Sequence, residues 1–550
     1  MVKDVIADLL LRAGEAAIAN GRLPAISLAD LAIERPQNPA YGDYASSLPL
    51  KLARAARMAP MKIGSILVSE LPPSGSIGKV EVAPPGFINF TLSDSWLADQ
   101  VNQIIEQGEQ YGSVDLGRGS KAQVEFVSAN PTGPLTAASG RGGTLGDVLA
   151  SALQLAGYEV EREYYVNDAG SRMDAFYGSV YARYQQVLGL PAEVPADGYL
   201  GAYVTELAEE IATAHGRRFI DLPPEQGAVE IGALAVQMMI ENARRVLDDL
   251  GVNYDVWFSE QSLHDRGLVE QTIDLLRQQG YVDEREGAVW FVSSSLGEDK
   301  DNVLVRSNGV PTYFASDLAY HYDKFAIRGF DTVIDVWGAD HQGHVPRMKA
   351  GVSAMGVSPD RLKLIIHQLV TLKRGDEIVR MSKRTGDLVT LRDVVDEVGK
   401  DACRFFFLSR SADSHMDFDL ELAKAQSNEN PVYYVQYAHA RIASILRFAG
   451  DVDFRHGDVR LLRTEPELTL IRKMLLLPEL VDSVARTLEP HHLPHYAQDL
   501  ASVFHSFYKQ CRVVSEDEEL SRARLRLVLA AKIVLANTLH LMGVTAPEQM

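Results

Sequence analysis

The feature that most constrains the fold is a change of rhythm near residue 120. Val124-Glu125-Phe126-Val127 reads as a strand, Asn130 to Pro134 is a Pro/Gly-rich turn, and residues 142–156 are a small-residue segment entering a helix. Further strand patterns at 161–166, 289–292, 332–337 and 363–370 alternate with helical ones to about residue 400. Strands separated by helices need crossover connections, so the alternation predicts an α/β fold with a parallel, doubly wound sheet. Residues 172–300 have a mostly helical pattern and read as an insertion between two halves of that sheet.

Different patterns flank this unit. Residues 1 to about 115 open with a helix carrying Val5, Leu9, Leu10 and Ala13 on one face, then pass through the turn-rich Pro36-Gln37-Asn38-Pro39. A helix at about 44–58 and alternating apolar residues over 78–89 complete a small α+β module. Asp115-Leu116-Gly117-Arg118-Gly119 is a candidate linker. After about 425 the apolar spacing is near 3.6 at 433–448, 469–488, 496–513 and 522–542, which predicts an all-α bundle. The expected domains are therefore 1–115, 116–425 and 426–550.

Composition narrows the function classes. The first helix is interrupted by Asp4, Asp8, Arg12 and Glu15, unlike a secretory signal, and no run of about 18 apolar residues occurs; a soluble, cytoplasmic chain is expected. Cys403 and Cys511 are far apart and outside any CxxC spacing, so they read as free thiols rather than a disulfide or a thiolate zinc site. The net charge of −20 argues against a general polyanion binder. Residues 431–550 hold 14 Lys+Arg and 14 Asp+Glu, so the whole excess lies in residues 1–430.

Two segments carry chemistry. Arg380-Met381-Ser382-Lys383-Arg384, followed by Thr385-Gly386, is a basic Gly-containing loop suited to a leaving group that gains negative charge. Asn130-Pro131-Thr132-Gly133-Pro134-Leu135-Thr136-Ala137-Ala138-Ser139-Gly140 turns from a strand into a helix, where backbone N–H groups and the helix dipole face an anion. It reads as a phosphate cradle without a Walker lysine; a purely structural turn is the alternative. Strand ends of one parallel sheet share a ligand crevice, which brings the two segments together.

On these segments the chain resembles the bacterial-type arginyl-tRNA synthetases, class I enzymes with a Lys-Met-Ser-Lys-Ser signature. The same resemblance runs through Glu163-Tyr164-Tyr165-Val166-Asn167-Asp168-Ala169-Gly170, Thr312-Tyr313-Phe314-Ala315-Ser316-Asp317 and Trp337-Gly338-Ala339-Asp340-His341. It extends to Gly42-Asp43-Tyr44, Pro85-Gly86-Phe87-Ile88-Asn89-Phe90, Asn430-Pro431-Val432-Tyr433-Tyr434 and Gly543-Val544-Thr545-Ala546-Pro547, and so covers essentially the whole chain. The resemblance implies a Rossmann-like catalytic sheet, ATP carried with Mg²⁺, and arginine and tRNA(Arg) as substrates; the residues show no zinc-ligand spacing and nothing that demands a dimer, so no zinc and a monomer are expected. It implies Lys383, beside Ser382, as the catalytic cation, and ATP contacts from residues 130–140 with Met381 and Arg384. It further implies an arginine pocket of Asn130, Glu260, Tyr313, Asp317 and His341. The front module would meet the tRNA elbow and the bundle would read the anticodon, with Tyr433 and Tyr437 stacking on bases and Arg441 contacting phosphate or a base edge; interdomain packing is the competing role for these rings.

One departure stands out. Where the family has His-x-Gly-His, this chain has Thr136-Ala137-Ala138-Ser139. The Thr136 and Ser139 hydroxyls can donate to phosphate oxygens, but they are shorter than imidazole and never cationic. The expectation is arginine–tRNA ligation with reduced adenylation. The alternative is a non-catalytic relative that binds tRNA or arginine. His341 and His344 at i,i+3 lack a third ligand and read as hydrogen-bonded pocket histidines rather than a metal site.

Overall fold

The structure is a computed structural model describing residues 1–28, 31–379, 389–450 and 452–550, without the side chains of residues 171 and 172. The first module contains α1 (Val2–Ala19), β1 (Ile33–Glu34), β2 (Tyr44–Ser46), α2 (Leu48–Ala56), α3 (Pro60–Ser69), β3 (Ile77–Ala83) and β4 (Phe87–Leu92). Its antiparallel sheet runs β1-β2-β4-β3. The helix expected over 44–58 starts only at Leu48, because Tyr44–Ser46 pairs with β4 and Pro49 fits the first helical turn, where its missing N–H costs no bond. On α1 the buried stripe is Ile6, Leu9, Leu10, Ala13 and Ala17; Val5, expected inside, is exposed.

Helix α4 (Asp94–Gln107) precedes the central unit, which begins with β5 (Lys121–Phe126), α5 (Ala137–Leu155) and β6 (Glu159–Val166). Helices α6 (Ser171–Val187), α7 (Ala202–His215) and α8 (Pro224–Asp249) lead to β7 (Val256–Ser259). Then come α9 (Gln261–Asp265), α10 (Leu268–Gln278), β8 (Val282–Arg285), β9 (Ala288–Phe291), β10 (Asn302–Val305), α11 (Tyr313–Tyr322), β11 (Thr332–Gly338), α12 (Val345–Ala354) and β12 (Leu362–His367). The parallel sheet has the order β12-β11-β5-β6-β7. The chain winds outward from β5 to β7, returns to β11 and winds the other way. The topological switch therefore lies between β5 and β11, and a crevice opens at their carboxyl ends.

The stretch 172–300 is not one helical insertion. Strand β7 lies inside it and belongs to the parallel sheet. The strand expected at 289–292 lies outside that sheet, because Glu286 and Gly287 both have positive φ and make a tight hairpin that joins β9 antiparallel to β8. A further small sheet is formed by β13 (Val370–Arg374), β14 (Glu377–Ile378) and β15 (Met416–Asp419); α13 (Leu391–Val398), α14 (Lys400–Leu408) and α15 (Leu420–Lys424) surround it.

The bundle consists of α16 (Pro431–Phe448), α17 (Glu465–Met474), α18 (Leu476–Thr487), α19 (His492–Gln510) and α20 (Glu518–Leu541). The single helix expected over 469–488 is broken in two. Pro478 has no N–H for the carbonyl of Met474, and the hydroxyls of Tyr111 (3.3 Å) and Tyr496 (3.4 Å) donate to that oxygen instead. The front module docks on α18 through Arg35–Glu479 (3.0 Å) and Lys3–Asp482 (3.0 Å). Fully buried Arg404 fastens the bundle to the centre: it donates to Met542 O (2.7 Å), Gly251 O (2.9 Å) and the Asp147 carboxylate on α5 (2.5 Å). Both cysteines are buried and unbonded.

Side chains alternate across a strand, and the face of the parallel sheet toward α11 carries a buried row of acids. Glu125 of β5, Glu163 of β6 and Asp335 of β11 are all buried there. Fully buried Lys324 donates to Glu125 (2.6 Å) and Asp335 (2.9 Å), and His321 Nε2 lies 2.9 Å from Asp335. Arg328 and the Tyr320 hydroxyl bond Glu163, and Arg328 also bonds Glu161. Removing the ammonium leaves Glu125 without a cation and Asp335 with His321 alone, so Lys324→Ala is expected to destabilise the central unit by about 3–5 kcal/mol. A denaturant midpoint equal to that of the parent protein would contradict this reading of the network.

Candidate nucleotide and amino-acid site

Strand β5 stops at Phe126. Val127, expected in the strand, has φ 70° and Ser128 has φ 42°, both in the left-handed region that disfavours side chains. Such strain persists only where surrounding bonds over-determine it, and here four side chains hold the loop by its carbonyls. Tyr254 Oη donates to Phe126 O (3.1 Å), Asn167 Nδ2 to Ser128 O (3.0 Å), Tyr164 Oη to Ala129 O (3.0 Å) and Tyr203 Oη to Thr132 O (2.6 Å). Asn130 and Pro134 of this turn are exposed, Gly133 is half-buried, and Pro131, Thr132 and Leu135 are buried.

Thr136 is the N-cap of α5. Its Oγ1 accepts the Ser139 N–H (3.4 Å), and Ser139 Oγ accepts the Thr136 N–H (3.3 Å), a reciprocal capping box. The two hydroxyl oxygens expected to serve phosphate thus also cap the helix, and they share a hydrogen bond of 3.4 Å that engages one of their two protons. The N–H groups of Ala137 and Ala138 stand in the first turn, where no helical carbonyl accepts them. Gly140 is needed for close approach: a Cβ there would lie 2.4 Å from Leu391 and 2.9 Å from Phe407. The expected Met381, Ser382, Lys383 and Arg384 lie outside the described residues. The residues just after them meet the turn directly, since Leu391 N–H donates to Leu135 O (2.7 Å) and Thr390 bridges Thr136.

Beside this turn lies an acid pocket. Glu260 follows β7, two residues beyond Phe258, and so shares the acidic face of the sheet. It is buried, Oε2 has no hydrogen-bond partner among the described residues, and the Ser316 hydroxyl nearby lies 3.4 Å from His264 Nε2. Burial and then the Asp317 charge push its pKa up to about 7. Burial likewise raises Asp317, against the opposing fields of His321, Arg347 and His341. Tyr313 opens α11 half-exposed, and its hydroxyl would lie 3.3 Å from a Cβ at Gly170, whose φ of +87° also favours glycine. His341 is exposed, with its ring 5.9 Å from Trp337 and 5.3 Å from His344. Glu260, Asp317, Tyr313 and His341 thus gather around the ends of β6, β7 and β11, while Asn130 sits on the neighbouring turn. Among the described residues no group of three or more His, Cys, Asp or Glu side chains is placed to hold a metal ion.

Residue-by-residue reading missed Ser316 and Arg347. Ser316 lies on the wall beside Tyr313 and Asp317, and helical spacing alone could have placed it there. Arg347 stacks over Phe314 at 5.1 Å and reaches the pocket only through the fold. On α16, Tyr433 and Tyr437 are stacked at 6.3 Å, and Arg441 lies over Tyr437 and Tyr508 at 5.9 and 4.6 Å. Tyr437 and Arg441 line a cavity of about 1030 Å³ with Arg447, Phe448, Lys509 and Arg512. That cavity is basic, in a bundle of otherwise balanced charge.

The strand order, the switch-point crevice, the capped glycine-rich helix start and the acid pocket define a class I aminoacyl-tRNA synthetase unit. Residues 100–419 match the family described as tRNA synthetases class I (R), catalytic domain; residues 2–92 match the Arginyl tRNA synthetase N terminal domain, and 435–550 the DALR anticodon binding domain. The chain is 54% identical to an arginine–tRNA ligase of Dehalococcoides mccartyi over 100% of its own length and 99% of the relative. It is 50% identical to one of Caldanaerobacter subterraneus, with the same coverage. The solved arginyl-tRNA synthetase of Thermus thermophilus shares the fold, with a TM-score of 0.78 over 100% of both chains at 22% identity. The chain belongs to the arginyl-tRNA synthetase family, and its activity is the ligation of arginine to tRNA.

If Glu260 meets the arginine guanidinium in its ionised form, proton uptake near its pKa of about 7 would compete with arginine. Arginine affinity is expected to weaken as pH falls below 7, approaching about tenfold per unit for one such proton, and to level off above it. The raised Asp317 acts in the same direction. Calorimetric titrations on both sides of pH 7 check this; Glu260→Gln should flatten the slope, and an equally steep slope in that variant would remove Glu260 from the binding site.

Proposed function

We propose that the ligation is divided between two sides of the switch-point crevice, the 130–140 turn holding ATP and the acid pocket holding arginine. The single observation that carries this reading is the unmatched charge of Glu260. Glu125, Glu163 and Asp335 on the same sheet face each have a cation of the protein against them, whereas no cation of the described residues pairs with Glu260. A guanidinium, planar and always charged, fits such a vacancy better than an ammonium. Asp317 adds a second acid, Tyr313 a face and a hydroxyl, and Asn130 and His341 the polar rim.

The chemistry follows from this placement. One arginine carboxylate oxygen bonds to the α-phosphorus of ATP as the bond to the β-phosphate bridging oxygen breaks, giving arginyl-adenylate and pyrophosphate. The Ala137 and Ala138 N–H groups and the Thr136 and Ser139 hydroxyls would face the phosphate charge, and Lys383, assigned by the resemblance, with the Mg²⁺ carried with ATP would neutralise it. A ribose hydroxyl of the tRNA end then attacks the arginyl carbonyl; the ester forms, AMP leaves and the hydroxyl proton is released. With hydroxyls in place of imidazoles at 136 and 139, the first step is slower than in relatives that carry the histidines. The basic cavity at Tyr437 and Arg441, beside the Tyr433 ring, supports anticodon contact by the bundle, and the front module would meet the tRNA body.

ATP–pyrophosphate exchange, with and without tRNA and arginine, tests the division. Lys383→Ala is expected to lower the exchange kcat by about 10²–10³-fold while leaving the arginine KM in place. Asp317→Ala should raise the arginine KM by about 10- to 100-fold. An unchanged arginine KM in that variant would take Asp317 out of the pocket.

A further inference from the structure

The acid pocket contains a second unmatched polar atom. Tyr165 is the penultimate residue of β6 and pairs with Phe258 of β7 across the parallel ladder. Its ring is buried against Phe258 (6.1 Å) and Tyr320 (4.5 Å), on the same sheet face as Glu163 and Glu260. Its hydroxyl is buried and has no hydrogen-bond partner among the described residues. Leaving a buried hydroxyl unpaired costs about 1–3 kcal/mol, and phenylalanine would fill the same space at no such cost. The neighbouring tyrosine phenols do find partners: Tyr164 bonds Ala129 O, Tyr254 bonds Phe126 O and Tyr320 bonds Glu163. The carboxylates whose charge acts on Tyr165 are, in order, Glu260, Asp317, Glu125 and Asp168. Glu125 is bound by Lys324 and Ser128, and Asp168 by the Ser259 hydroxyl and the Gln261 N–H. The first two are the acids of the proposed arginine pocket, and Glu260 Oε2 is itself unpaired among the described residues.

We propose that Tyr165 is a further substrate-contacting and specificity-determining residue, its hydroxyl oxygen accepting an N–H of the arginine guanidinium while its proton is donated to a pocket carboxylate. This rests on the reading that Glu260 and Asp317 form the arginine pocket. The donor count favours it. A guanidinium presents five N–H groups and no acceptor, so a pocket of acids gains by adding a neutral acceptor that brings no further negative charge. The same hydroxyl gives its proton to a carboxylate, so each oxygen that is unpaired in the empty site gains a partner when arginine binds. The pocket face of β6 then distinguishes a planar five-donor head from an ammonium, which presents three donors at a single point.

The variant that tests this keeps the ring and removes one oxygen. Tyr165→Phe in the full-length enzyme, assayed by exchange with tRNA present, is expected to raise the arginine KM by about 10- to 100-fold. The ATP KM should be unchanged and the melting temperature equal to or above that of the parent. An unchanged arginine KM overturns the proposal. So does a loss confined to kcat and melting temperature, which would assign the hydroxyl to packing. Asp317→Ala, measured in parallel, separates the two levels of inference. If that variant raises the arginine KM and Tyr165→Phe does not, only the role of Tyr165 falls; if neither does, the pocket itself has been misplaced.

Discussion

Lys324 is the constraint on which the catalytic half rests. Its ammonium is fully buried between Glu125 and Asp335, on the two strands that flank the topological switch. These strands are neighbours only because the chain returns from β7, so the ion network fixes the crossing that creates the crevice. Glu125 also accepts the Ser128 hydroxyl, and Ser128 Oγ in turn accepts the Tyr165 N–H. The left-handed turn after β5 is therefore tied to the same charges that hold the sheet. His321 links Asp335 to the Asp317 carbonyl, which carries the network to the start of α11. A buried ion network is a poor source of stability compared with apolar packing. Here it determines where the empty place in the row of acids falls.

On the proposed reading, that place in the row of acids would select arginine. Along one sheet face the protein supplies its own cations to three acids and withholds one from the fourth. The pocket is thus a site of local charge imbalance, built on strand ends and closed by α11. The adjoining turn works differently. Its charges are backbone dipoles at a helix start, kept in place by two short hydroxyls and by the crossing of Leu391 over Leu135. On the same reading, one side of the crevice would meet a cation by formal charge and the other an anion by oriented N–H groups.

The legible parts of this design were local. The strand, turn and helix over 124–156 could be read because each needs only its own residues, and the bundle because helical spacing repeats over many turns. The break at Pro478 was written in the sequence, yet the period around it ran straight through. Strand β7 was hidden: Val256-Trp257-Phe258-Ser259 is four residues among helices, too short for alternation to mark it. The pocket acids came from resemblance to a family rather than from spacing. Their condition could not be read, because the cation that neutralises Glu163 stands 165 residues away and the missing one at Glu260 is defined only by what surrounds it. The capping role of Thr136 and Ser139 was within reach, since a hydroxyl residue three positions before another at a helix start marks a cap.

The joint at Arg404 has a consequence for synthesis. Its guanidinium needs Asp147 and the 250–251 turn, both made before it, and the carbonyl of Met542, which follows 138 residues later. At about 5–20 residues per second, a growing chain carries that buried charge with one acceptor still missing for roughly 7–30 seconds. The catalytic half therefore emerges from the ribosome with an unfilled seat beside the middle of α5 until the bundle arrives. A chaperone that shields this seat, or a pause in translation that prolongs its exposure, would act on the enzyme far from any substrate.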